Sequence, residues 1–591
     1  MTNFEIAKVD FSSPAVADWA KSSPRNVNWP VVYVLDDLAA VKLRPKDLHQ
    51  VYVGESLHAA GRFRQHISSP DKKSLSTIRV IVNETFNKSA CLDLESYLIR
   101  MLAGDGAFRV LNRNDGVTES DYYDRARYRE TFREVFDQLS QDGVFTRTIP
   151  QIENSDLFKL SPFKALTTDQ AVAVEDIIEG LLADLSKNAD SPIVIQGEPG
   201  TGKTVVAIYL IKLLADIAAS RDLDDLDSDS LFSEFFIEDN RNALVGLRVG
   251  LVVPQQSLRK SIERVFAKTP GLESVPVMTP FDVGESEHPF DLLIVDEAHR
   301  LNQRANQPSA SQNKRFKSIT TSLFGSDDFT KTQLDWIIRM SRHQILLVDA
   351  AQRVRPADLP SRTLHSLVDT AKNKHRHYPL VTQLRVEAGA DYIGYVRRML
   401  GVGDKYSTAP PVLGLNSFAG YDFRLFDDLA EMSALVRQRN EESGLSRLLA
   451  GYAWKWKSKA DKAAFDIEID GLNLRWNSTQ VDWIASAKSI DEVGSIHTVQ
   501  GYDLNYAGVI IGPDLRFDAE TGRLWVDRKS YFDTKGKESN TFTGTTSSDA
   551  DLLEFIGNIY SVLLTRGIRG TYVYVCDPAL REYLRSYIPA A

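Results

Sequence analysis

Cysteine is nearly absent from this chain: 591 residues hold two, Cys91 and Cys576, far apart and without a metal-ligand neighbour. That excludes a disulfide scaffold and a thiolate zinc site, and it points to two reduced thiols. No apolar stretch approaches the roughly 20 residues of a membrane span, so no membrane partner is expected. The opening Met-Thr-Asn-Phe-Glu-Ile-Ala-Lys has no basic segment followed by an apolar one, which argues against export and for a cytoplasmic protein. A basic excess is missing too. Net charge is −10, from 70 Lys and Arg against 80 Asp and Glu, and this speaks against tight nonspecific binding to a polyanion. The deficit is local, however. Residues 1–150 hold 20 charges of each sign, while Asp222, Asp224, Asp225, Asp227, Asp229, Glu234, Glu238 and Asp239 crowd one segment that reads as a solvated insertion. A basic channel elsewhere stays open.

What is present is an ordinary globular composition, 43% hydrophobic and 25% charged. The length is too great for one core and calls for three or four domains. Two β-type runs, Val31–Leu35 and Val51–Gly54, open the chain, with a helical stretch from about 57 to 67, a strand at 78–82 and a helix near 92–102. From 119 to about 139 the spacing of Tyr122, Tyr123, Ala126, Phe132, Val135, Phe136 and Leu139 is helical and amphipathic; this charged helix reads as a connector, with a shared packing face as the alternative for its aromatics. Past residue 160, strands expected at 192–196, 249–253, 291–295, 344–348, 506–511 and 571–576 alternate with helices, as in buried parallel sheets. Two sheets fit better than one, because 376–505 restarts the alternation.

Residues 197–204, Gly-Glu-Pro-Gly-Thr-Gly-Lys-Thr, spell GxxxxGK[ST] directly after Pro192–Ile195. Such a strand, glycine loop and helix start wrap backbone N–H groups around a triphosphate. Gly197, Gly200 and Gly202 would shape the loop, Lys203 would reach the β/γ-phosphates and the Thr204 hydroxyl would hold Mg²⁺. An accidental match is expected in only about one chain in fifty of this length, and Leu292–Val295 followed by Asp296 and Glu297 reduces that further. Asp296 would join the metal shell and Glu297 would stand beside an attacking water. ATP and Mg²⁺ are therefore the expected ligands. Trp454, Trp456, Trp476 and Trp483 suggest base stacking, but Trp454 and Trp456 alternate as the core face of a strand would. Lys529, Lys535 and Lys537 read as the solvated surface of a polar loop.

Further pieces follow in order: Phe163–Gln170 upstream of the loop; Val252–Ser257; Leu347–Gln352; Val381–Arg385; Ile496–Asp503; and Val562–Arg569. The series resembles the motif set of superfamily-1 helicases of the UvrD-like kind, and especially the Schlafen-related P-loop helicase domain, over roughly 160–590. The resemblance implies two RecA-like lobes with ATP between them. It implies Gln170 on the adenine edge, Gln352 as γ-phosphate sensor, Arg385 and Arg566 crossing the cleft to the transferring phosphoryl group, and Gly501 with Asp503 at the nucleotide. Many relatives carry Glu at the Asp503 position; here the carboxylate is retained. Asp-Glu-Ala-His at 296–299 is best known from superfamily 2, but the surrounding motifs favour superfamily 1.

Near the start, Val31/Val32-Tyr33, Tyr52-Val53-Gly54, Arg62 and His66 four apart, Glu95 and Asn112 together resemble the GIY-YIG nuclease domain over roughly 30–115. Val replaces Gly and Ile in the first signature and Ile in the second. The resemblance implies Glu95 on one divalent ion, Arg62 on a phosphate oxygen, Tyr33 activating water with Tyr52 and His66 assisting, and Asn112 bracing the site. The expected fold class is α/β: a small mixed-sheet GIY-YIG domain (1–117), a helical connector (118–159) and two RecA-like parallel-sheet lobes (160–375 and 376–591). The expected function is an ATP-dependent nuclease on nucleic acid, DNA rather than RNA, with defence against foreign DNA as a setting. The alternatives are an ATP-switched nucleic-acid sensor and a repair helicase whose N-terminal domain only docks nucleic acid. No protein partner is implied.

Overall fold

A computed structural model describes residues 4–39, 48–113, 121–187, 192–220, 232–307, 309–349, 355–383, 386, 390–402, 418–479, 483–499, 502–544 and 546–591. The chain divides into two compact units, one comprising Met1–Ile178, Ile208–Gly246 and Ser261–Val275, the other Glu179–Ala207, Leu247–Lys260 and Pro276–Ala591. No helix among the described residues is long and apolar enough to cross a membrane.

The first unit holds β1 (Phe4–Asp10), β2 (Val31–Asp36), β3 (His49–Ser56), β4 (Thr77–Asn83) and β5 (Phe108–Val110), in the order β1-β4-β2-β3-β5. All pairs are antiparallel except β3 with β5, so the sheet is mixed. All six residues of β2 are buried because both faces are covered. Side chains alternate between the faces. Val32 and Val34 pack with Leu94, Leu98 and Leu102 of the helix Lys88–Asp105. Val31, Tyr33 and Leu35 pack with Ala59, Ala60 and Phe63 of the helix Ala59–Ser68. The helix Arg125–Gln141 buries Tyr128, Phe132, Val135, Phe136 and Leu139 in the first of these cores. It belongs to the core of this unit and is not a free connector, since an apolar stripe that wide is stable only when covered.

The second unit carries two sheets. The first is six-stranded and wholly parallel: β6 (Pro192–Gly197), β7 (Val249–Val252), β8 (Val277–Met278), β9 (Phe290–Val295), β10 (Ser341–Val348) and β11 (His377–Leu380), ordered β11-β6-β10-β9-β7-β8. Its edge strand β11 lies beyond residue 375, the expected end of the first lobe. The second is seven-stranded: β12 (Asp422–Phe426), β13 (Ser446–Ala450), β14 (Ile467–Ile469), β15 (Leu472–Trp476), β16 (Glu492–Ser495), β17 (Leu504–Ile511) and β20 (Gly567–Val575), ordered β12-β20-β17-β13-β16-β15-β14 and parallel except at β14. A hairpin of β18 (Leu515–Asp518) and β19 (Arg523–Val526) leaves it after β17.

Residues 451–456 form no strand, contrary to the alternation of Trp454 and Trp456. Both rings still lie against the buried Trp476, at centroid distances of 6.4 and 6.3 Å, and Trp483 is fully buried. Four indoles sit in or on a core, as irregular backbone can lay them there without strand periodicity. Lys535 and Lys537 lie on a helical turn, Thr534–Lys537, and are tied down by Glu538 and the Tyr531 carbonyl.

Candidate active sites

Three strands of the six-stranded sheet end at one edge. β6 runs into the glycine loop, β9 into Asp296 and Glu297, and β10, which lies between them, into Asp349. The C-terminal ends of parallel strands are where ligand loops gather. Gly200 and Gly202 take φ of +86° and +78°, which other residues adopt only under strain. Buried Lys203 donates through Nζ to the carbonyls of Gly197 (2.7 Å) and Glu198 (3.0 Å) and lies 4.0 Å from Asp349 Oδ2. Thr204 Oγ1 donates to Asp296 Oδ2 at 2.7 Å, so a hydroxyl and a carboxylate converge as oxygen donors. Among the described residues no group of three or more His, Cys, Asp and Glu could hold a metal. Mg²⁺ needs no such cage, because it keeps waters and takes one or two carboxylates with substrate phosphates, and the Thr204–Asp296 pair fits it.

Burial and the neighbouring Glu297 push the Asp296 carboxyl up to about 6. Glu297 itself sits at φ +51°, a left-handed conformation that non-glycine residues keep at functional sites when the surroundings enforce it. Burial opposes its charge, but His299, Lys203 and Arg300 together hold the carboxyl well below the usual range. His299 Nε2 is 3.0 Å from Glu297 Oε2, and its Nδ1 accepts from the Asp349 backbone N–H at 3.2 Å. The proton of a neutral ring therefore sits on Nε2, facing Glu297. His299 was not among the site residues expected from sequence, although it closes the Asp-Glu-Ala-His box.

Two further side chains reach the loop from beyond β11. Gln383 Nε2 donates to the Pro199 carbonyl at 2.7 Å. Arg397, on the helix Ala390–Met399, lies 2.6 Å from Glu198 Oε1 and 4.0 Å from Asp349 Oδ1; no motif flagged it. Arg566 is buried and donates to the Tyr502 carbonyl at 3.2 Å, beside the half-buried Asp503. Gln352, Arg385 and Gly501 lie outside the described residues. Gln170 belongs to the first unit. Its Oε1 accepts from the Thr167 N–H at 3.0 Å while its own N–H donates to Thr167 Oγ1 at 3.4 Å, a reciprocal cap on the helix Thr168–Lys187. Reading an adenine edge competes with this capping.

In the N-terminal sheet Tyr33 stands opposite Gly54. A Cβ on Gly54 would meet Tyr33 Oη at 2.3 Å, so the second signature's glycine makes room for the first signature's tyrosine. Tyr33 Oη is 2.8 Å from His66 Nε2, and the Tyr52 ring lies 6.4 Å from that of Tyr33 and 5.0 Å from that of His66. Burial and Tyr52 push the Tyr33 phenol well above its usual pKa; Arg62 pulls it down and Glu95 pushes it up, so both charges reach it. Burial, then Lys72 and Arg62, hold His66 down to about 2, a neutral ring. Asn112 accepts from the Val53 N–H at 3.0 Å and donates to the Val53 carbonyl at 2.8 Å. Its side chain thus pairs with β3 as another strand would, between Tyr52 and Gly54.

Residues 190–577 match the Schlafen group 3 DNA/RNA helicase domain. The chain belongs to this family. In sequence, an uncharacterized protein of Saccharomyces cerevisiae is 26% identical over 463 residues, covering 74% of this chain and 93% of its own. Two structures of arterivirus nonstructural protein 10, a helicase, the first a complex with DNA, are 13% and 12% identical. They cover 70% and 68% of this chain and 67% and 64% of theirs, each with a TM-score of 0.28, a likeness too weak to bear on mechanism or substrate.

Proposed function

We propose that this Schlafen group 3 helicase-domain protein is an ATP-dependent nuclease, a superfamily-1-type motor coupled to a metal-dependent endonuclease of GIY-YIG type that acts on DNA, with cutting of foreign DNA as its setting. Family membership and the Thr204–Asp296 contact at 2.7 Å support the motor. The observation that carries the nuclease is Tyr33 seated over Gly54 and bonded to His66, within reach of the charges of Arg62 and Glu95. In this reading 1–117 is the nuclease and 160–591 the two-lobed motor, with the lobe junction falling after β11.

In the motor, Lys203 binds the β/γ-phosphates, Thr204 and Asp296 hold Mg²⁺, and Glu297, oriented by His299, takes the proton of the attacking water. Arg385 and Arg566 act on the charge of the transferring phosphoryl group. In the nuclease, Tyr33 takes the proton of water, Arg62 grips a nonbridging phosphate oxygen with two donors, and Asn112 fixes β3. Glu95 would hold a divalent ion, which would supply positive charge to the phosphate.

The test is a cleavage panel of single-stranded, duplex, forked and RNA substrates with Mg²⁺, with and without ATP, for wild type, Glu95→Ala and Lys203→Ala. Glu95→Ala should abolish cleavage and keep ATP turnover; Lys203→Ala should lower turnover by about 100-fold or more. Normal hydrolysis by Lys203→Ala would sink the motor. A wild type that cuts nothing would reduce the N-terminal domain to a docking module.

A further inference from the structure

Lys72 is 8% exposed, on the turn Pro70–Lys72, where a charge without partners would be costly. Its Nζ lies 2.7 Å from His66 Nδ1 and 3.8 Å from the centroid of the Tyr52 ring. On the far side of the imidazole, Nε2 is 2.8 Å from Tyr33 Oη. The seat over an aromatic face attracts a cation and so selects the ammonium, which has three N–H donors and no lone pair. His66 Nδ1 must then accept, and the proton of the neutral ring sits on Nε2. Tyr33 receives a hydrogen bond at its oxygen and cannot pass its own proton to this imidazole.

We propose that Lys72 is a positioning residue for phosphodiester cleavage: its ammonium locks His66 as the Nε2–H tautomer, which aims a donor at the Tyr33 oxygen and leaves that oxygen, not the imidazole, to accept the proton of water. The inference rests on the nuclease reading above. Tyr33 first gives up its own proton to solvent; in the step, the water proton then passes to the resulting phenolate, the water oxygen bonds to phosphorus, and one P–O ester bond breaks with its electron pair on the leaving oxygen, which solvent protonates. The Arg62 guanidinium acts against the burial that raises the phenol, and a His66 N–H aimed at the same oxygen acts in the same direction. Lys72 carries no motif signal; the turn that follows the helix Ala59–Ser68 brings it back to His66.

The experiment uses the full chain. Single-turnover cleavage at saturating enzyme, substrate affinity and ATP turnover are measured for wild type, Lys72→Met, Lys72→Arg, His66→Ala and the Lys72→Met/His66→Ala double variant. Lys72→Met should cut about 10- to 100-fold more slowly with affinity and ATP turnover kept, and Lys72→Arg, which retains a cation and a donor, should recover much of the loss. Because Lys72 acts through His66, the double variant should be no slower than His66→Ala. Cleavage by Lys72→Met at the wild-type rate, or losses that multiply in the double variant, would overturn the proposal while the nuclease reading stands. Histidine ring ¹⁵N spectra of the labelled protein give a readout independent of folding losses and of cleavage: His66 should carry its proton on Nε2 in wild type and lose that preference in Lys72→Met. An Nδ1–H ring in wild type refutes the tautomer. A wild type without cleavage refutes the nuclease, whatever the spectrum.

Discussion

At position 54 one added methyl group would collide with the Tyr33 hydroxyl. Gly54→Ala should therefore displace the phenol and cost about 1–3 kcal/mol as overpacking, with cleavage lost and ATP turnover retained when both are assayed on one preparation. A second residue-scale prediction concerns Asp514. It is buried, accepts from Tyr560 Oη at 2.6 Å, and burial pushes its carboxyl up to about 7. The folded chain thus binds this proton more tightly than the unfolded chain does. Its stabilising contribution is complete below pH 3.8 and is lost as pH rises through about 7. Asp514→Asn, which keeps an acceptor for Tyr560, should flatten that part of the fall, so that its thermal midpoint gains on wild type at pH 8 relative to pH 5. The residues legible in sequence were those that a motif constrains, such as Lys203, Thr204 and Asp296. Lys72, His299 and Arg397 were overlooked as site residues, since what marks them is contact across the fold.

Among elements, β3 depends on a side chain as much as on a neighbouring strand. Asn112→Ala would leave the Val53 N–H and carbonyl without the partners recorded at 3.0 and 2.8 Å. The loss should be about 2–4 kcal/mol, since a buried polar group left unmade costs about 1–3 kcal/mol. Chemical denaturation should register it, with cleavage falling alongside. Strands β6, β7, β9, β10, β17 and β20 were readable because buried parallel strands are continuous β-branched runs. β1 mixes apolar and charged residues over its seven positions and is half-exposed, and β5 has three residues; neither makes an apolar run that stands out, and between 376 and 505 β12 to β16 have three to five residues each. The helix Arg125–Gln141 was legible as an amphipathic helix; its charged face suggested a connector, and the packing face weighed for its aromatics is the one that completes a core.

For the whole molecule, the second unit's two sheets are tied by modest contacts. Arg355 Nη2 lies 2.7 Å from His497 Nε2, Asn306 Nδ2 donates to Glu538 Oε1 at 3.0 Å, and Asn540 Nδ2 donates to the Arg304 carbonyl at 2.9 Å. The Arg397–Glu198 pair, whose carboxylate is 48% exposed, is worth about 0–1 kcal/mol, weak enough for nucleotide to displace. A motor that works by moving these lobes should stop when they are tethered. Asn306→Cys with Glu538→Cys, joined by a short bifunctional maleimide, should lose about 10-fold or more of its ATP turnover, while either single variant treated alike keeps it. The native thiols do not compete, because burial raises Cys91 well above its usual pKa and Cys576 to about 12. The sequence by itself determined the glycine-loop signature, the carboxylate pair that follows β9, the alternating α/β pattern and the ordered motifs, because each is a local matter of residue type and spacing along one strand, loop or helix. Only the tertiary structure decided that Tyr33 and Lys72 meet opposite nitrogens of His66, which arginine touches Glu198, and that β11 closes the first sheet. Those depend on side chains distant in sequence being pressed into contact, where burial and neighbouring charge set their chemistry.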